Sequence, residues 1–140
     1  MKRATMPLPH LGDVDGAVVL TLPADERFAS VARGAAVSCA SLESFDVDDL
    51  VDVRLVVDEV FNALAVLGHG TVTLELSLRR AALGIVASAP SAGRSTWASP
   101  ELAPTRRIIG VLCTAAAFGV ADATVWFEGE LRPLPRMTSN

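Results

Sequence analysis

Apolar residues recur at helical spacing through FDVDDLVDVRLVVDEVFNALAVLG, Phe45 to Gly68, where Val53, Val57, Val60, Leu64 and Leu67 form one stripe. The spacing predicts a long amphipathic helix. Asp46 stands where a cap is needed, and Asp48, Asp49 and Asp52 in the first turns complement the positive end of the helix dipole. Gly68 and Gly70, on either side of His69, end it. The period then switches to two. In TVTLELSL, Thr71–Leu78, Val72, Leu74, Leu76 and Leu78 point one way while Thr71, Thr73, Glu75 and Ser77 point the other. Strict alternation predicts a strand with one buried and one wet face. Arg79 and Arg80 lead into a turn, and Leu83–Ala89 returns as the second strand of an antiparallel hairpin.

The flanking segments complete the pattern. A strand is expected at Ala17–Leu22, ended by Pro23, and Asp25 opens a helix in which Phe28, Val31, Ala35 and Cys39 share the inward face to about Ser41. Residues Pro90–Pro104, rich in Pro, Ser, Ala and Gly, read as the long loop. A helix follows from Thr105 to about Phe118, with Ile108, Ile109, Leu112 and Ala116 inward and Gly119 as its stop. The last strand is expected at Ala123–Glu128, with Pro133 and Pro135 shortening the end of the chain and leaving a sheet edge open. A one-sided antiparallel sheet needs its helices on the apolar face. The expected fold is therefore an α/β (α+β) two-layer sandwich in the order β-α-α-β-β-α-β, a mostly antiparallel sheet with three helices on one face. Residues 16–130 form the domain, 1–15 a flexible leader and 131–140 a flexible tail.

Composition narrows the function classes. With 140 residues the chain fits one domain with a real core, and at 51% hydrophobic and 20% charged residues its body is not disordered. A net charge of −4 and no run of Lys or Arg argue against direct nucleic-acid binding. Pro7 and Pro9 interrupt any signal-peptide core, and the apolar tract Ile108–Phe127 changes period near Gly119 and holds Asp122, so neither reads as a membrane segment. A cytoplasmic protein with no membrane contact is expected. Cys39 and Cys113 read as buried free thiols, and the lone His10 and His69 as no metal site.

The candidate chemistry sits on the long helix. Asp58 and Asn62 are four residues apart and Glu59 and Asn62 three, so one amide lies near either carboxylate. A carboxylate beside an amide can activate a hydroxyl and hold a hard cation such as magnesium. The same spacing also describes a solvated polar edge on a core helix.

The element order, with a DE-containing helix before the hairpin, resembles the histidine-kinase-like ATPase (GHKL) superfamily, and within it the small RsbW-type anti-sigma factor kinases. LTLPADERFASVARG is similar to that family's opening strand and helix, and VDDLVDVRLVVDEVFNAL to its asparagine-box helix. The resemblance implies ATP and Mg2+ as cofactors, Glu59 as catalytic base, Asn62 as metal ligand, and Asp58 and Arg106 as further nucleotide-binding residues. It also implies a cytoplasmic regulator of bacterial stress-response transcription. Its partners would be a sigma factor and an anti-anti-sigma antagonist, contacted through Arg27, Ser30 and Arg33 on the first helix, with a homodimer as the family's usual assembly.

The chain departs from that family at three places. Four residues after Glu59 stands Ala63, and Asn62 comes one position early, a rotation of roughly 100° on an ideal helix. Alternatively Asp58 is the acid and Asn62 keeps its register. Where the family has DxGxG, this chain has ASAPSAG, Ala87–Gly93, and in place of the phosphate-cradling GxGL it has PTRRIIG, Pro104–Gly110. Losing the adenine-reading carboxylate leaves a polar group of the nucleotide unmatched, about 1–3 kcal/mol. The expected function is thus an anti-sigma-like binding protein with a degenerate ATP site. The alternative is an active Mg-ATP-dependent serine/threonine kinase acting on the antagonist.

Overall fold

The computed structural model describes residues 16–93 and 95–135. The expected leader, 1–15, and the last part of the expected tail, 136–140, lie outside them. The elements are β1 (Gly16–Pro23), α1 (Ala29–Ala40), α2 (Val47–Leu67), β2 (Thr71–Arg79), β3 (Ala82–Pro90), α3 (Ala103–Leu112), β4 (Ala115–Ala121) and β5 (Thr124–Leu131). Short 3-10 turns at Glu26–Phe28 and Pro100–Leu102 lead into α1 and α3. The strands form one five-stranded sheet in the order β1-β2-β3-β5-β4, every neighbouring pair antiparallel. This is the two-layer α+β sandwich that the alternating pattern predicts, with one more strand than expected.

That strand is β4. Ala115–Phe118 was expected as the end of a helix stopped by Gly119, because its three alanines are strong helix formers. β4 pairs instead with β5, from Ala115 opposite Glu130 to Ala121 opposite Thr124. The two-residue turn between them places Asp122 at φ 52° and Ala123 at φ 61°. Such a turn ordinarily carries Gly, and an Ala in the left-handed region costs about 1–2 kcal/mol, so the sequence hides the hairpin. α3 accordingly stops at Leu112, Ile109 is its buried anchor, and Ala116 lies exposed on β4 rather than in the core. β5 runs three residues past the expected Glu128 and is flanked on both sides, so the sheet edges belong to β1 and β4.

α2 behaves as its stripe predicts. Val53, Val57, Val60, Leu64 and Leu67 are all buried, facing Val72, Leu74 and Leu76 of β2, Ile85 and Ala87 of β3, and Phe127 of β5 in one core. Its first turn closes a capping box: Asp46 accepts from the Asp49 N–H at 2.9 Å and Asp49 accepts from the Asp46 N–H at 3.0 Å. The helix ends at Gly68, where an added Cβ would stand 2.6 Å from the Ala89 Cβ, so only Gly lets the chain pass this close to β3.

α1 buries a different face from the one expected. Ala29, Ala32, Ala36, Cys39 and Ala40 point inward, while Val31 is 47% exposed and Phe28 and Ala35 are half-buried. The small alanines let α1 lie close against α2 and over β2 and β3, which larger side chains would prevent.

The sheet's outer face is also not uniformly wet. Ser77 and Arg79 of β2 are buried there, together with Val86, Trp126, Glu128 and Glu130. Arg79 folds across Gly84, whose missing Cβ leaves room for the guanidinium at 3.1 Å, and donates from Nη1 to Glu130 Oε2 at 2.7 Å. Glu130 Oε1 also accepts from Arg132 at 3.1 Å and from the Thr114 hydroxyl at 3.2 Å. Among the described residues, no helix is long and apolar enough to cross a membrane.

Candidate functional site

Asp58 and Glu59 are one helical step apart, a rotation of roughly 100°, and that step sends them to different neighbours. Asp58 turns toward α1 and accepts from Arg33 Nη1 at 2.5 Å, in a pair left 33% and 32% exposed. Glu59 turns toward α3 and accepts from the buried Thr105 hydroxyl at 2.8 Å. Asn62 is half-buried, and its Oδ1 is sealed from solvent with no hydrogen-bond donor. The three residues share a helix without converging on one point.

The other candidates are similarly engaged. Arg106 donates from Nη1 to the backbone carbonyls of Trp97 and Ser99, the latter at 3.0 Å, and so ties α3 to the segment before it. That segment, expected as an open loop, holds the buried Trp97, whose ring lies 4.9 Å from Phe118 and whose indole N–H donates to the Gly119 carbonyl at 3.2 Å. Arg27 bonds Asp25 through Nε at 3.0 Å and Nη2 at 2.8 Å, and this guanidinium holds the Asp25 carboxyl below its usual range. Ser30 is exposed, its hydroxyl at 3.5 Å from the Arg27 carbonyl. Of the three expected partner contacts, Arg27 and Ser30 lie open on the surface while Arg33 is held by Asp58.

Sequence reasoning missed Thr105 and Trp97. The first is a hydroxyl one turn into a Pro-led helix, a position that signals a helix start rather than a contact. The second is the single aromatic of its loop, and that was the available signal for an anchored segment.

Clefts open at two places, among others, on the surface of the described residues. One, about 370 Å³, lies between α1 and α2 and is lined by Arg33, Val51, Arg54, Leu55 and Asp58. The other, about 340 Å³, lies where the start of α2 meets the end of α3, with Phe45, Asp49, Asp52, Cys113 and Leu131 in its wall. Burial raises the Asp52 carboxyl above its ordinary value, and Asp49 and Asp48 add to the effect. Burial likewise pushes the Cys113 thiol up to about 12, so it is unreactive at neutral pH. Cys39 is also a free thiol, buried in the core and raised by the same cause. Glu59, Asn62 and Arg106 line neither cleft.

The residues expected to hold Mg-ATP are directed to separate neighbours within the protein. Magnesium takes six oxygen ligands in near-ideal octahedral geometry, and of the candidate oxygens Asn62 Oδ1 is buried without a hydrogen-bond partner. Asp58, Glu59 and Arg106 each already satisfy a neighbouring helix or loop. Among the described residues, no group of His, Cys, Asp or Glu is placed to hold a metal ion. No protein-family model and no curated protein matches this chain.

Proposed function

We propose that this protein is a regulatory binding module, similar to an anti-sigma factor, that works by partner switching and keeps the outline of an ATP-binding fold without its nucleotide chemistry. One observation carries the reading: Asp58, Glu59 and Arg106 each bond to a different part of the protein's own structure. Residues that a kinase would turn toward nucleotide instead fasten α1 and α3 to the helix between them. Binding then falls to the surface, where Arg27 and Ser30 lie exposed at the start of α1. The groove between α1 and α2 adds Val51, 49% exposed, and Leu55, 39% exposed, beside Arg54. An apolar floor rimmed by charge suits a helix of a sigma factor or of an antagonist domain.

The test is co-purification from the native host with identification of what is retained. A sigma factor or an antagonist domain, lost from Arg27→Glu and Leu55→Asp variants, is the expected result. Recovery of neither would overturn the reading, and phosphorylation of the antagonist would establish the kinase alternative.

A further inference from the structure

A two-layer sandwich turns one face of its sheet to helices and the other to water. Here the second face is buried at its centre. Arg79, Trp126, Glu128 and Glu130 point away from the helices, yet they are only 3%, 9%, 1% and 2% exposed. Ala82 and Val86 are buried beside them and stand outside the core that the helices close. Among the described residues, no helix or strand lies over this face. An open strand face leaves side chains of this size in water, so a further length of chain covers it.

The covered groups define what the cover must offer. Arg79 Nε and Nη2 and Trp126 Nε1 are sealed donors without a hydrogen-bond partner. Such donors require carbonyl oxygens. Arg79 reaches over Gly84, and the Trp126 ring lies against Gly119, so the donors span the sheet from β3 to β4. The face is also acidic, with Glu75, Glu128 and Glu130 on it against Arg79 and Arg132.

We propose that residues 1–15 of this chain lie across the outer face of the sheet, with the stretch Met6–Leu11 over Val86 and Trp126. The proposal goes beyond the binding function above and does not depend on it. Elimination singles out this segment. The Leu134 N–H donates to Asp49 Oδ1 at 3.0 Å, which directs the other end of the chain toward α2 and the opposite face. Residues 1–15 run instead into Gly16 on the edge strand. Trp126 lies three strands across and five residue steps along from Gly16, about 20–25 Å away. Pro7 stands nine residues before Gly16, and so reaches about 30 Å when extended. The chemistry matches as well. Met6 and Leu8 face the sheet together at a spacing of two, while Pro7 and Pro9 bring carbonyl acceptors and no N–H of their own. Lys2 and Arg3 supply the positive charge that the acidic face attracts.

Nuclear magnetic resonance of the full-length chain tests this. Amides of Met6, Leu8, His10 and Leu11 should show order parameters near 0.85, about the rigid-backbone value, where a free segment falls below about 0.6. Methyl groups of Met6 and Leu8 should show Overhauser contacts to the Trp126 ring, unchanged on dilution. Leu8→Asp should free the segment and speed exchange of the Trp126 indole proton at least tenfold. The Trp97 indole, which donates to the Gly119 carbonyl, is the internal reference and should not change. A flexible segment in the wild type, or Trp126 exchange indifferent to Leu8→Asp, overturns the proposal. So does protection of Trp126 that is lost on dilution, since the cover would then belong to another molecule.

Discussion

The charged groups on α2 and those on the outer face of the sheet are held in opposite ways. Asp58 and Arg33 meet across two helices with about a third of each side chain in solvent, 32% and 33%. Arg79 and Glu130 meet across β2, β3 and β5 with 4% and 3%. Water screens the first pair, so its formation contributes little to stability. The second has left water altogether, and each partner depends on the other. Arg79 depends more, since its Nε and Nη2 have no further hydrogen-bond partner. The lesson is that the cluster most suggestive of chemistry is the loosely held one. A pair with no motif around it is the one the fold cannot lose.

The largest expected effect breaks that difference from the buried side. Glu130→Ala leaves the Arg79 guanidinium sealed without its carboxylate, and should cost about 3–5 kcal/mol in urea unfolding. A loss below about 1 kcal/mol would mean that the pair is not sealed in solution. On α2 the effects shrink. Thr105→Val removes the hydroxyl that Glu59 accepts and should cost about 1 kcal/mol. Asp58→Asn should change stability by about 1 kcal/mol or less, and the change should vanish in molar salt.

The smallest effect is set by pH. The folded-state Asp52 carboxyl is raised above 3.8 by burial and by Asp49 and Asp48, so the folded chain holds that proton more tightly than the unfolded chain. Its charge therefore works against folding at neutral pH, and stability falls as pH rises from 3.8 through the raised folded value. Asp52→Asn should stabilise the protein at pH 7 and lose that advantage below about pH 3.8, where both states are protonated, as followed by thermal melting at each pH. A gain independent of pH would point to packing instead.

How far the sequence could be read follows from the same physics. Long periodic segments were legible because burial dictates their spacing, as in the α2 stripe and the alternating residues of β2. The Asp46 cap was legible because helix ends require such groups, whereas the answering bond from Asp49 was not read. β4 was hidden by alanines that suit a helix and by a turn without glycine. The α1 face was misjudged because close packing selected alanines over the larger Val31. At the candidate site, spacing placed Asp58, Glu59 and Asn62 on one helix. It could not give their partners, because Arg33 and Thr105 lie 25 and 46 residues away in sequence. The buried Arg79–Glu130 pair spans 51 residues and left no local trace at all.

The proposed reading is that the α2 carboxylates are engaged by Arg33 and Thr105 rather than by a nucleotide. Titration of the full-length protein with Mg-ATP in a calorimeter tests it most directly. The account predicts no heat beyond dilution up to millimolar nucleotide and no rise in melting temperature, since a ligand bound only by the native state must stabilise it. Saturable binding at micromolar concentration, abolished by Asn62→Ala, would contradict it.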